Sequence, residues 1–116
     1  MAAYVNNKEL FEEILKSKEN DELTPRALEL LMKIARELSK GLSYKRIEDR
    51  EDCIAFAIED VLKYWNRFKP ELSNNAFSYY TQMCKNGLAK GFKKLYGNIR
   101  TTNFISIDSE HGINNI

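Results

Sequence analysis

Apolar residues recur at offsets of three and four along most of this chain, in four blocks separated by polar or proline-bearing links, and that rhythm predicts helices. In the first block Leu10, Phe11, Ile14 and Leu15 follow Asn6, which with Glu9 three residues on resembles a capping box. A first helix over about residues 7–18 is expected. The polar run SKENDE interrupts the pattern, and Thr24-Pro25 then supplies an N-cap and a pre-set first helical position. The second helix runs to about Lys40 with Leu28, Leu31, Ile34, Ala35 and Leu38 as its buried stripe. Gly41 is expected to close it in a left-handed cap.

A third helix, about residues 47–68, places Ile54, Ala57, Ile58, Val61, Leu62 and Trp65 on one face. Its other side carries Asp49, Asp52, Phe56, Glu59, Asp60 and Lys63, so a large aromatic stands among charges. Either the first helix covers Phe56 or the residue is an exposed anchor. Pro70 stops the helix, and Ser73, Asn74 or Asn75 is available to cap a fourth, over about residues 76–96. In NNAFSYYTQMCKNGLAKGFKKL, Phe77, Tyr80, Cys84, Leu88, Gly91 and Leu95 share one sector. Tyr79, Gln82, Asn86, Lys90 and Lys93 fall opposite, with Met83 on the flank. Beyond Gly97 the pattern dissolves into a linker or tail, with a short alternation in NFISID. The expected fold is therefore all-α: a compact bundle of about four helices over residues 1–98, followed by an extended tail over 99–116.

The 116 residues suffice for one core, and 43% apolar with 30% charged residues describe a helical domain that needs no staples. Cys53 and Cys84, 31 residues apart, read as buried thiols. No apolar run reaches the length of a membrane span and MAAYVNNKEL lacks a signal peptide's regions, so the cytosol is the expected compartment, without membrane partners. Charge changes the picture more. Residues 1–71 hold 13 basic and 15 acidic side chains, residues 72–116 five and two, and no acid occurs between Leu72 and Ile107. An acid-free basic helix with aromatics at its start points toward nucleic acid, although charge alone usually marks a solvated face.

Catalytic chemistry is hard to assemble. The single histidine, His111, lies in the weakly patterned tail, so no histidine-based triad or two-histidine metal site is expected. GLAKGFKK lacks the spacing, the hydroxyl residue and the preceding strand of a phosphate loop. Glu48, Asp49, Glu51 and Asp52 open a helix, where the dipole favours acids. A binding protein without cofactor is expected rather than an enzyme.

YVNNKEL at 4–10, CIAFAIEDVLKYWNRF at 53–68 and NAFSYYTQMCKNGLAKGFKK at 75–94 carry a resemblance to the second conserved region of bacterial RNA polymerase sigma factors. It is strongest to the late-gene sigma factors of large tailed phages and covers about residues 4–96. The resemblance implies a helical module that docks on the clamp helices of the polymerase's largest subunit and reads the minus-ten element of late promoters as it opens, in the cytoplasm of an infected host. It implies a docking face of Asp52, Ala55, Phe56, Glu59 and Lys63. It implies a DNA face in which Tyr79 and secondarily Tyr80 stack on unpaired bases. Lys85, Lys90, Lys93 and Lys94 would hold phosphates there, and Gln82, Met83 and Asn86 would lie along the bases.

Departures from the family are specific. Met83 and Cys84 stand where housekeeping sigma factors carry a tryptophan pair, and their base-reading positions one turn later fall on Gly87 and Lys90. Opening is then expected at an AT-rich element. The chain carries no helix-turn-helix for an upstream element, which implies a phage coactivator and sliding clamp as further partners, yet HGINNI is unlike the family's clamp-binding motif. ISIDSE resembles the segment that threads toward the polymerase active centre. The alternatives are a polymerase-binding modulator without promoter reading, and a helical repressor of duplex DNA.

Overall fold

Asn6 opens the first helix by accepting the Glu9 amide hydrogen on its side-chain oxygen at 2.9 Å, and α1 runs Asn7–Asn20. The computed structural model describes residues 4–97, and in them every element is helical. The Glu9 carboxylate pairs with Arg26, at 2.7 Å from Nε and 3.1 Å from Nη2, and so ties α1 to the next helix. Asp21, with φ of 57°, closes α1 in the left-handed conformation, and the Glu22 amide reaches back to the Ser17 carbonyl.

Thr24 caps α2, Pro25–Ser39, by accepting from the Ala27 amide while its hydroxyl donates to Glu13 at 2.8 Å. The left-handed cap expected at Gly41 does not form. The amides of Lys40, Gly41 and Leu42 donate instead to the carbonyls three residues back, a tightening turn that satisfies the helix end without positive φ. The buried stripe is also rotated from expectation: Ala27 and Leu30 are buried, while Leu28 and Leu38 are only half-buried.

α3, Ile47–Tyr64, passes into a 3₁₀ turn, Trp65–Arg67, earlier than the apolar spacing suggested. The Lys18 ammonium fastens that turn, donating to the backbone and side-chain oxygens of Asn66 at 2.7 and 2.8 Å. Asn75 is the cap chosen among the three candidates, accepting from the Ser78 amide at 3.0 Å, and α4 spans Ala76–Tyr96. Gly97, with φ of 77°, ends it. Asn7 braces the same end from outside, accepting from the Phe77 amide at 2.8 Å and donating to the Asn74 carbonyl at 3.1 Å. Tyr4 meets Phe77 edge-on and Val5 is buried, so the segment YVNNKEL serves to seat α4.

α3 and α4 form the most extensive helix pair, running antiparallel: Gly87 faces Ala57, Gly91 faces Cys53, and the Tyr80 hydroxyl donates to the Trp65 carbonyl at 2.6 Å. Closeness is the reason for the glycines. A Cβ on Gly87 would stand 2.6 Å from the Ala57 Cα, and one on Gly91 would stand 3.1 Å from the Cys53 Cα. α2 lies against both helices, and α1 against α2 and α4. The core joins Leu10, Ile14, Leu31, Ile34, Ile54, Val61, Tyr80 and Leu88. Leu15 and Leu62, expected inside, are 39% and 53% exposed because they fall at the margins of their stripes. Asp49 and Asp60, expected on the solvated side of α3, are buried, since each has a partner on α4. No helix among the described residues is long and apolar enough to cross a membrane. The expected tail over 99–116 and its ISIDSE segment lie outside the described residues.

Candidate protein and nucleic-acid interfaces

Four of the five docking candidates come together. Asp52, Ala55, Phe56 and Glu59 line an open groove of about 580 Å³ with Ile58, Leu62, Lys94 and Leu95. Lys63 is exposed on α3 but does not line the groove. Phe56 is half-buried, and α1 contributes nothing to the groove. Its ring leans on the space left by Gly91 and carries the Lys94 ammonium 5.6 Å from its centroid. The floor is thus apolar and the rim carries both signs of charge. Helix geometry explains this layout: positions 52, 55, 56, 59 and 62 follow one another at three- and four-residue steps.

The second face is on α4. Tyr79, Gln82, Met83, Asn86, Lys90 and Lys93 follow one another along one side of the helix, with Gln82 donating to Asn86 at 3.0 Å. Gln82, Asn86 and Lys93 are exposed, whereas Tyr79 and Met83 are half-buried. Tyr79 tilts against Phe68 at 5.2 Å and meets Tyr80 edge-on at 5.0 Å, so its ring is held in place with part of its surface committed. Lys85 is half-buried on the flank of the helix.

Two candidates are reassigned by packing. Tyr80 is fully buried with its hydroxyl bonded to Trp65, so the stacking role expected for it gives way to a core role. Lys94 belongs to the Phe56 groove rather than to the amide-bearing face. Burial raises the pKa of the Tyr80 hydroxyl above its ordinary value, with the neighbouring Tyr79 adding to the effect, and keeps the hydroxyl a donor. The Cys84 thiol is pushed up to about 12, by burial first and the charge of Asp60 second. Cys53 rises to about 11, by burial first and by Asp49 and Asp52 after it.

Sequence reasoning missed the polar ties between α3 and α4. Lys90 Nζ sits 3.0 and 2.8 Å from the two oxygens of Asp60. The Tyr96 hydroxyl donates to Asp49 and accepts from the Lys45 amide at 3.1 Å, which fixes the link before α3 onto the end of α4. Neither pair has a signal in sequence, because partners 30 and 47 residues apart are joined only by the helix register. The close crossing did have one: Gly87 and Gly91 four apart, and Cys53 and Ala57 four apart, are two small-residue rows able to approach.

Among the described residues no three His, Cys, Asp or Glu side chains converge as a metal-binding group. Comparison with protein-family models, with curated proteins and with solved structures finds no match for this chain.

Proposed function

We propose that the chain is a sigma-type initiation factor that docks on the clamp helices of a bacterial core RNA polymerase and directs it to an AT-rich, minus-ten-like late promoter. The reading starts from the three motifs that resemble sigma region two. One structural observation supports it most: an aromatic anchor in an apolar groove with a charged rim, on α3, lies beside a face of amides and lysines on α4, a helix with no acid of its own. Binding energy at protein interfaces concentrates in such anchors, and exposed lysines beside an aromatic suit single-stranded nucleic acid. A phage coactivator and sliding clamp remain part of the proposal as further partners.

In vitro transcription with host core polymerase on AT-rich late-type templates tests it. A defined start site dependent on the protein supports the reading, and its absence with polymerase still retained refutes it. The burial of Tyr80 and Cys84 favours one second reading, a polymerase-binding modulator, because it leaves Tyr79 as the one ring of the YY pair with accessible surface. Inhibition of run-off transcription without a specific start would select that reading.

A further inference from the structure

We infer that Asp60 is an electrostatic brake on the nucleic-acid face of α4, holding the Lys90 ammonium so that a phosphate must displace a carboxylate to reach it. The inference rests on the proposed reading of α4 and adds a regulating residue to it. α4 itself carries no acid, so a carboxylate near its lysines comes from elsewhere in the chain. Asp60 supplies one from α3, with a side chain only 13% exposed and both oxygens within 3.0 Å of Nζ. The Lys90 side chain remains 59% exposed, in the same helical sector as Asn86 and Lys93. A lysine so exposed ordinarily leaves its ammonium in water, where a phosphate can take it without competition. Here the ammonium is drawn to the seam between the helices. Asp60 thus cancels one of the positive charges in that row, while Lys93 stays exposed.

The consequence is an unequal pair of lysines. Anisotropy with a labelled AT-rich single-stranded oligonucleotide reads it directly in the full chain. Asp60→Asn preserves shape and a hydrogen-bond acceptor while removing the charge. It is expected to bind about fivefold tighter at ~50 mM salt, the gain falling to about twofold at ~200 mM as one more phosphate contact is screened. The gain is expected to vanish in Asp60→Asn/Lys90→Gln and to be absent in Glu29→Gln, which changes net charge equally from α2. Parental binding by Asp60→Asn overturns the brake, as does a gain that survives the double substitution or appears in Glu29→Gln. The parent background gives an independent arm: Lys90→Gln should lose less affinity than Lys93→Gln, and equal losses overturn the inference. Retention on core polymerase and start-site selection by the parent are scored separately, so failure of the proposed function and failure of the brake are read from different experiments.

Discussion

Tyr80 and Tyr44 show how the same hydroxyl carries opposite consequences. The Tyr80 hydroxyl is buried and bonded to the Trp65 carbonyl, so Tyr80→Phe removes a buried bond, leaves that carbonyl only the long 3.5 Å bond from the Phe68 amide, and should lower unfolding free energy by about 1 kcal/mol. The Tyr44 hydroxyl is buried without a partner among the described residues, so Tyr44→Phe should be neutral or slightly stabilising. Urea unfolding of both variants checks the contrast, and equal losses would contradict it. Phe56→Ala acts on the groove rather than the core, and by the proposed function it should weaken retention of core polymerase about 30-fold with little change in unfolding midpoint. That Tyr79, Gln82 and Asn86 share one side of α4, and Asp52, Ala55, Phe56 and Glu59 one side of α3, was legible because helical spacing alone sets which positions share a side, whereas Lys63, expected with the α3 set, lies outside the groove. Tyr80 was less so: adjacent tyrosines differ by about 100° around a helix, and which one meets the core depends on where the neighbouring helix lies.

At the scale of elements, the helix starts were written locally. Asn6, Thr24 and Asn75 each cap the helix they precede, because the bond spans three residues and needs nothing else. Thr24→Ala should cost about 1 to 2 kcal/mol, since it removes a cap and the hydroxyl that bonds Glu13 on α1. The α3–α4 crossing makes a sharper demand. Gly87→Ala puts a methyl 2.6 Å from backbone on α3, which cannot turn aside as a flexible side chain could. A loss of about 1 to 3 kcal/mol is expected in chemical denaturation, and an unchanged midpoint would mean that the helices separate without cost. The end of α2 was misjudged because a glycine permits a left-handed cap but does not require one. Three backward-reaching amides satisfied the carbonyls first.

Across the whole molecule, buried thiols set a limit on the alkaline side. Cys84 titrates near 9 when exposed and near 12 when folded, so its stabilising contribution is complete below pH 9 and is lost as pH rises toward 12. Unfolding free energy is therefore expected to fall above pH 9, and Cys84→Ala should flatten that fall even though it lowers stability at neutrality. A thiol reagent at pH 8 should label Cys53 and Cys84 only as fast as the fold opens. The sequence by itself determined the number and order of the helices, the N-caps at Asn6 and Thr24, and the charge contrast that leaves α4 without acid. Each of those depends on residues a turn or less apart, or on composition. Only the tertiary structure decided that Asp60 reaches Lys90, that Asp49 reaches Tyr96, and that Lys94 joins Phe56. Those pairings exist because α3 and α4 run antiparallel at a separation small enough for facing glycines, a distance and a register that no local pattern specifies.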